Sequence, residues 1–189
     1  MQYDKPFATK LLLIACMLGL LATHGATAAE TEKSAPERHQ QVITAFLATL
    51  PANANLTDEQ KSKGKELVES LRADPDGQAA AVTEVLRDIS PEYRQALTAL
   101  GEENLIDALA GLNKLTSSAD PYLAADAAYF AARALLIDER YEEALPLLDD
   151  LSSKWLASTL RDGEGLFLRG VVQGQLLQRD AALSTLQTF

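Results

Sequence analysis

Apolar residues recur along most of the chain at helical spacing. From Glu37 onward, Val42, Ile43, Phe46, Leu47 and Leu50 fall at i, i+1, i+4, i+5 and i+8. That pattern is one face of a helix, and Pro51 closes it. Thr57-Asp58-Glu59-Gln60 has the form of a capping box and predicts a second helix over about 58–72, with Leu67, Val68 and Leu71 on its apolar side. Asp74-Pro75-Asp76-Gly77 predicts a turn. It fails as a calcium loop: with Gly77 at the sixth position, the twelfth is Thr83 rather than Glu and the first is Arg72. Ala79, Val82, Val85, Leu86 and Ile89 then mark a third helix. Ser90-Pro91-Glu92 opens another, with Ser as cap and Pro at the first helical position. No stretch shows the alternation of a half-buried strand, so the fold class is all-α.

The first residues read as an address. Lys5 and Lys10, partly offset by Asp4, precede an apolar run over 11–21 broken only by Gly19. Ala26-Thr27-Ala28 then offers a cleavage site, so residues 1–28 are expected to be a secretory signal peptide. The apolar run is short of the ~20 residues that span a hydrocarbon core as a helix. Leu13-Ile14-Ala15-Cys16 also looks like the lipobox of bacterial lipoproteins, but 11–15 is a short apolar core for that role. Membrane association is therefore expected only if Cys16 is lipidated or the signal stays uncleaved. Removing 28 of the 189 residues leaves 161 and a mass of about 17 kDa, with His39 as the one remaining His and no Cys. The expected location is periplasmic or secreted. Residues 29–36, ending in Pro36, read as a flexible leader, and 37–89 as an N-terminal helical region. Asn55-Leu56-Thr57 is a glycosylation sequon of use only in a eukaryotic secretory route, and the helix cap explains Thr57 more simply.

Charge narrows the function. The chain has 17 Lys+Arg against 27 Asp+Glu, a net charge of -10. Nucleic-acid partners are excluded on that balance, because binding phosphates needs a basic surface. One Cys rules out an intramolecular disulfide. The acidic pairs Glu102-Glu103, Asp138-Glu139, Glu142-Glu143 and Asp149-Asp150 invite a glycosidase reading. Neighbours in a helix point about 100° apart, however, and such pairs are ordinary at helix ends. With His39 placed in a flexible leader, no Ser/His/Asp set forms, and Gly163-x-Gly165 lacks the rest of a phosphate loop. No catalytic residue, cofactor or metal site is expected.

An internal repeat carries the most information. The segments 104–115, 141–151 and 179–189 align without gaps on Ala108, Ala144 and Ala182, which are 36 and 38 residues apart. Each anchor is followed by Leu, by Leu four residues on, and by Leu or Phe three further. A period in this range means a helical array. Tyr141-Glu142-Glu143-Ala144-Leu145 resembles the start of the second helix of a tetratricopeptide repeat. Ala128, Ala131, Ala132 and Gly170 supply the small residues that the family uses where paired helices cross. The consensus Trp and Pro positions are unfilled, since Trp155 lies near the end of the middle repeat, and the first repeat, 90–116, is the least typical.

The resemblance covers 90–189 and implies antiparallel helix pairs stacked as a short α-solenoid, a non-catalytic scaffold that binds a protein or peptide partner. Its groove would be lined by the first helices, where matching positions hold Tyr93, Tyr129 and Phe167, with Asp126 and Arg133 one turn either side of Tyr129. Arg133 would grip a peptide carboxylate. Aromatic residues at repeat period also serve as inter-repeat core, and that role competes with the groove. The last repeat stops within its second helix, so the expectation is that the polypeptide continues or that another subunit covers this end. The same features would suit the helical accessory region of a longer envelope enzyme, or a lipid-anchored assembly factor.

Overall fold

The structure, a computed structural model, describes residues 34–72 and 75–189. The expected signal peptide, the Cys16 lipobox, the leader up to residue 33 and Asp74 lie outside the described residues. Among those described, all regular structure is helical: α1 (Ala35–Thr49), α2 (Asp58–Ser70), α3 (Pro75–Ile89), α4 (Pro91–Gly101), α5 (Leu105–Leu115), α6 (Pro121–Ile137), α7 (Tyr141–Ser153), α8 (Asp162–Gln175) and α9 (Arg179–Thr188). Short 3-10 turns follow α1 at Leu50–Ala52 and α7 at Leu156–Ser158. Ser34–Phe189 forms one compact unit.

Local chemistry sets the helix starts. Thr57 Oγ1 accepts from the Gln60 N–H while the Gln60 side chain accepts from the Thr57 N–H, the reciprocal box that satisfies two otherwise unpaired donors. Ser90 Oγ accepts from the Tyr93 N–H at 3.1 Å, with Pro91 following. Three expectations need correction. Ser34 and Glu37 form a capping box and α1 begins at Ala35, so 34–36 belong to a helix start and not to a leader. His39 consequently stands on α1 rather than on a loose segment. The chain at 75–77 is the first turn of α3 rather than a separate turn, because a helix tolerates proline where its first N–H groups are unpaired anyway.

Val42, Ile43, Phe46 and Leu50 bury the predicted face of α1, and Val82, Val85, Leu86 and Ile89 that of α3. On α2 Val68 is buried but Leu67 is exposed. Gly64 lets α2 approach α3 closely: a Cβ there would stand 3.1 Å from Val85 Cγ2.

From α4 onward the chain forms helix hairpins α4–α5, α6–α7 and α8–α9, each helix packing on its neighbour in sequence. One turn closes all three. Asn104, Arg140 and Gln178 donate their N–H to Ala99, Leu135 and Gln173, at 2.9, 2.9 and 2.8 Å. The residue before each of them, Glu103, Glu139 and Leu177, has φ near 60°. This is a Schellman-type closure, which satisfies the last carbonyls of the first helix while reversing the chain. The anchor alanines Ala108, Ala144 and Ala182 are buried at the crossings. Gly111 and Gly170 permit further close approach, since a Cβ would lie 2.8 Å from Ala96 Cβ and 2.6 Å from Leu186 respectively.

Candidate functional site

Helix α6 presents an alanine-rich surface interrupted by Tyr122, Asp126, Tyr129, Phe130 and Arg133. Asp126 is buried in the middle of it. A carboxylate taken from water needs donors, and three arrive from different elements. Thr83 Oγ1 of α3 donates to Oδ2 at 2.6 Å and Tyr93 Oη of α4 donates to the same oxygen at 2.5 Å. Arg161, in the connection before α8, donates from Nε to Oδ1 at 2.6 Å. The rest of that guanidinium is engaged too, by Thr83 Oγ1 at 2.8 Å and by Glu164 at 3.1 Å.

The arginine also stacks. Arg161 lies 4.5 Å from the ring centre of Tyr129 and 4.9 Å from that of Phe130, and Arg133 lies over the same two rings at 5.7 and 5.6 Å. Burial works against the charge of Arg161, but Asp126, Tyr129 and Glu164 together outweigh it and hold the guanidinium protonated. Burial and the adjacent Asp126 push the Tyr93 phenol well above its ordinary range, and burial raises Tyr129 likewise.

The structure therefore brings four of the five expected binding residues into one cluster and places three of them indoors. Tyr93 is 0% exposed, Asp126 7% and Tyr129 5%. They join the helices to one another rather than lining an open groove. Arg133 is half-buried against its aromatic neighbours. Phe167 stands apart and packs on Phe189 at 5.6 Å. The N-terminal helices cover part of this face on α6: Phe46 of α1 meets Tyr122 edge-on at 5.3 Å, and Val42, Ala79 and Val82 lie around Tyr122 and Asp126. Thr83, Arg161 and Phe130 were not anticipated from sequence. The available signal was Asp126 itself, a lone carboxylate on an alanine-rich helix, which demands a cation from elsewhere.

A second polar cluster ties down α1. His39 Nε2 lies 2.6 Å from Asp162 Oδ1, and Arg38 donates to Oδ2 at 3.1 Å. Burial alone would raise the Asp162 carboxyl, but these hydrogen bonds outweigh it and hold the group below the usual carboxylate range. At the centre of each cluster a carboxylate is held by several groups: Asp126 by Thr83, Tyr93 and Arg161, and Asp162 by Arg38 and His39.

An open cleft of about 620 Å³ lies where the α1–α2 loop meets the α3–α4 and α5–α6 junctions. Ile89, Leu115 and Leu123 contribute its apolar side, and Asp88, Glu92 and Asp120 its acidic edge. Asp120 also caps α6, accepting from the Tyr122 and Leu123 N–H groups. Among the described residues, no group of three or more His, Cys, Asp or Glu is placed to hold a metal ion, and no helix is long and apolar enough to cross a membrane. No protein-family model, no curated protein and no solved structure matches the chain.

Proposed function

We propose that this chain is an exported, non-catalytic scaffold whose tetratricopeptide-like helix pairs bind a protein or peptide partner in the cell envelope. The observation that carries the reading is the recurrence of one helix hairpin three times, with the same closing hydrogen bond, a turn residue in the same left-handed conformation and a buried alanine at the matching position. Stacked hairpins of this kind build extended surfaces suited to recognition. Because α1 and α3 cover Tyr122 and Asp126 on the face first assigned to the partner, the partner would meet the cleft at the α3–α4 and α5–α6 junctions instead. Its apolar side and acidic edge suit a segment that pairs apolar with basic residues.

Isolation of the protein from the envelope fraction of its own cells tests the reading. A mass of about 17 kDa, with a co-purifying protein that rebinds the purified chain saturably, is the expected result. An unprocessed chain of 20.4 kDa confined to the cytoplasm, with no saturable partner, would count against both export and scaffolding.

A further inference from the structure

The cleft at the α3–α4 and α5–α6 junctions combines three kinds of group. Ile89 and Leu123, 6% and 7% exposed, and the half-buried Leu115 give it an apolar floor. Asp88, Glu92 and Asp120 edge that floor, and among the described residues none of the three pairs with a Lys or Arg. Glu92 accepts from Ser90 Oγ at 3.4 Å, and Asp120 Oδ1 from the Tyr122 and Leu123 N–H groups. The buried carboxylates Asp126 and Asp162, by contrast, each have an arginine.

The α1–α2 loop brings two side-chain amides to the same cleft. Asn53 Oδ1 accepts from the Asn55 N–H at 2.9 Å and so sets the loop. Asn53 Nδ2 and the whole Asn55 amide are left without a hydrogen-bond partner among the described residues. A primary amide both donates and accepts, which matches the main-chain N–H and C=O of an extended peptide. A helical ligand spends those groups on itself. Two turns of helix, about 10 Å across and about 11 Å long, also exceed the cleft's volume of about 620 Å³.

We infer that the cleft takes an extended segment of a partner protein in which Lys or Arg flanks an apolar residue. Asn53 and Asn55 hold its main chain, the apolar side chain lies on Ile89, Leu115 and Leu123, and the basic residues pair with Asp88, Glu92 and Asp120. Charge complementarity selects this occupant: a second copy of a chain of net charge -10 is repelled by the same edge that attracts a basic segment. The inference deepens the scaffold reading and rests on it for the existence of a partner; what it adds is the extended form of the bound segment and the role of the two asparagines.

Fluorescence anisotropy of a labelled short peptide with Lys-Leu-Lys-Leu at its centre, titrated with the full chain, tests the inference. The same peptide with acetylated lysines removes the charge, and one with N-methylated leucines removes main-chain donors. Saturable binding of the parent peptide is expected. Acetylation and the double change Asp88→Asn/Glu92→Gln each weaken it about tenfold or more, and N-methylation and Asn55→Ala each weaken it about threefold or more. Circular dichroism verifies that the variants fold; Asn55 is exposed and its side chain holds nothing in place. Excess spermidine, a free cation without a main chain, leaves the peptide bound. Absence of saturable binding, binding that survives the double change, indifference to both N-methylation and Asn55→Ala, or displacement by spermidine overturns the inference. If the co-purified partner still binds the chain when the peptide does not, the inference falls alone; if neither binds, the scaffold reading falls with it.

Discussion

The buried Asp126 carboxylate pairs with Arg161 and accepts further hydrogen bonds from Thr83 and Tyr93. Removing one member of such a pair leaves the other charge buried and unpaired. Arg161→Met is therefore expected to destabilise the fold by about 3–5 kcal/mol in urea denaturation, and the double change Arg161→Met/Asp126→Leu by less than the single one. Tyr93→Phe removes one of three donors and should cost about 1 kcal/mol. Asp162 adds a pH dependence. Its folded carboxyl titrates below the ordinary value of 3.8, so its contribution is full above about pH 4 and fades as acidity passes through the depressed value. Asp162→Asn should lower stability at neutral pH and flatten the acid limb of a stability–pH profile; an unchanged acid limb would contradict the assignment. At this scale the sequence made Tyr93, Asp126 and Tyr129 conspicuous but not their direction. Repeat spacing says that residues share a face, and only the position of α1 and α3 decides whether that face meets water or protein.

Among the elements, close approach and turn geometry carry the argument. Gly111 faces Ala96 with no room for a Cβ, whereas nothing lies within 4 Å of one at Gly174. Gly111→Ala should thus destabilise by about 1–3 kcal/mol. Gly174→Ala should stabilise by about 0.5–1 kcal/mol, because alanine loses less backbone freedom in a helix. Thermal melting of the two variants distinguishes these signs. At Glu103, with φ of 60°, glycine should be better tolerated than valine by about 1–2 kcal/mol. The helix starts at Asp58 and Pro91 were legible, since Thr57-x-x-Gln60 and Ser90-Pro91 are complete local signals. The start of α3 was not, because a proline followed by Asp and Gly has the composition of a turn as well as of a first helical turn. The start of α1 was hidden for a related reason: Ser34 and Glu37 form a box, but the polar residues around them resemble a tether.

For the whole molecule, the all-α class and the repeat of helix pairs were readable from periodicity, while the path of the N-terminal helices across them was not. That path depends on long-range polar contacts, Arg38 and His39 to Asp162 and Thr83 to Asp126, which leave no periodic trace. These contacts join α1 and α3 to hairpins that would otherwise touch only their neighbours, and so raise cooperativity above that of a simple array. Trp155, buried between α7 and α8, is the single tryptophan and reports on the repeats. Its fluorescence transition in urea should coincide with loss of helical circular dichroism in the wild-type chain and separate from it in Arg161→Met. The most direct test of the scaffold reading is a calorimetric titration of the purified chain with the partner isolated alongside it. The account predicts saturable binding that Tyr129→Phe leaves unchanged and that Asp88→Asn with Glu92→Gln weakens, since the first is buried and the others edge the cleft. Absence of saturable binding, or chemical turnover of the partner by this chain, would contradict it.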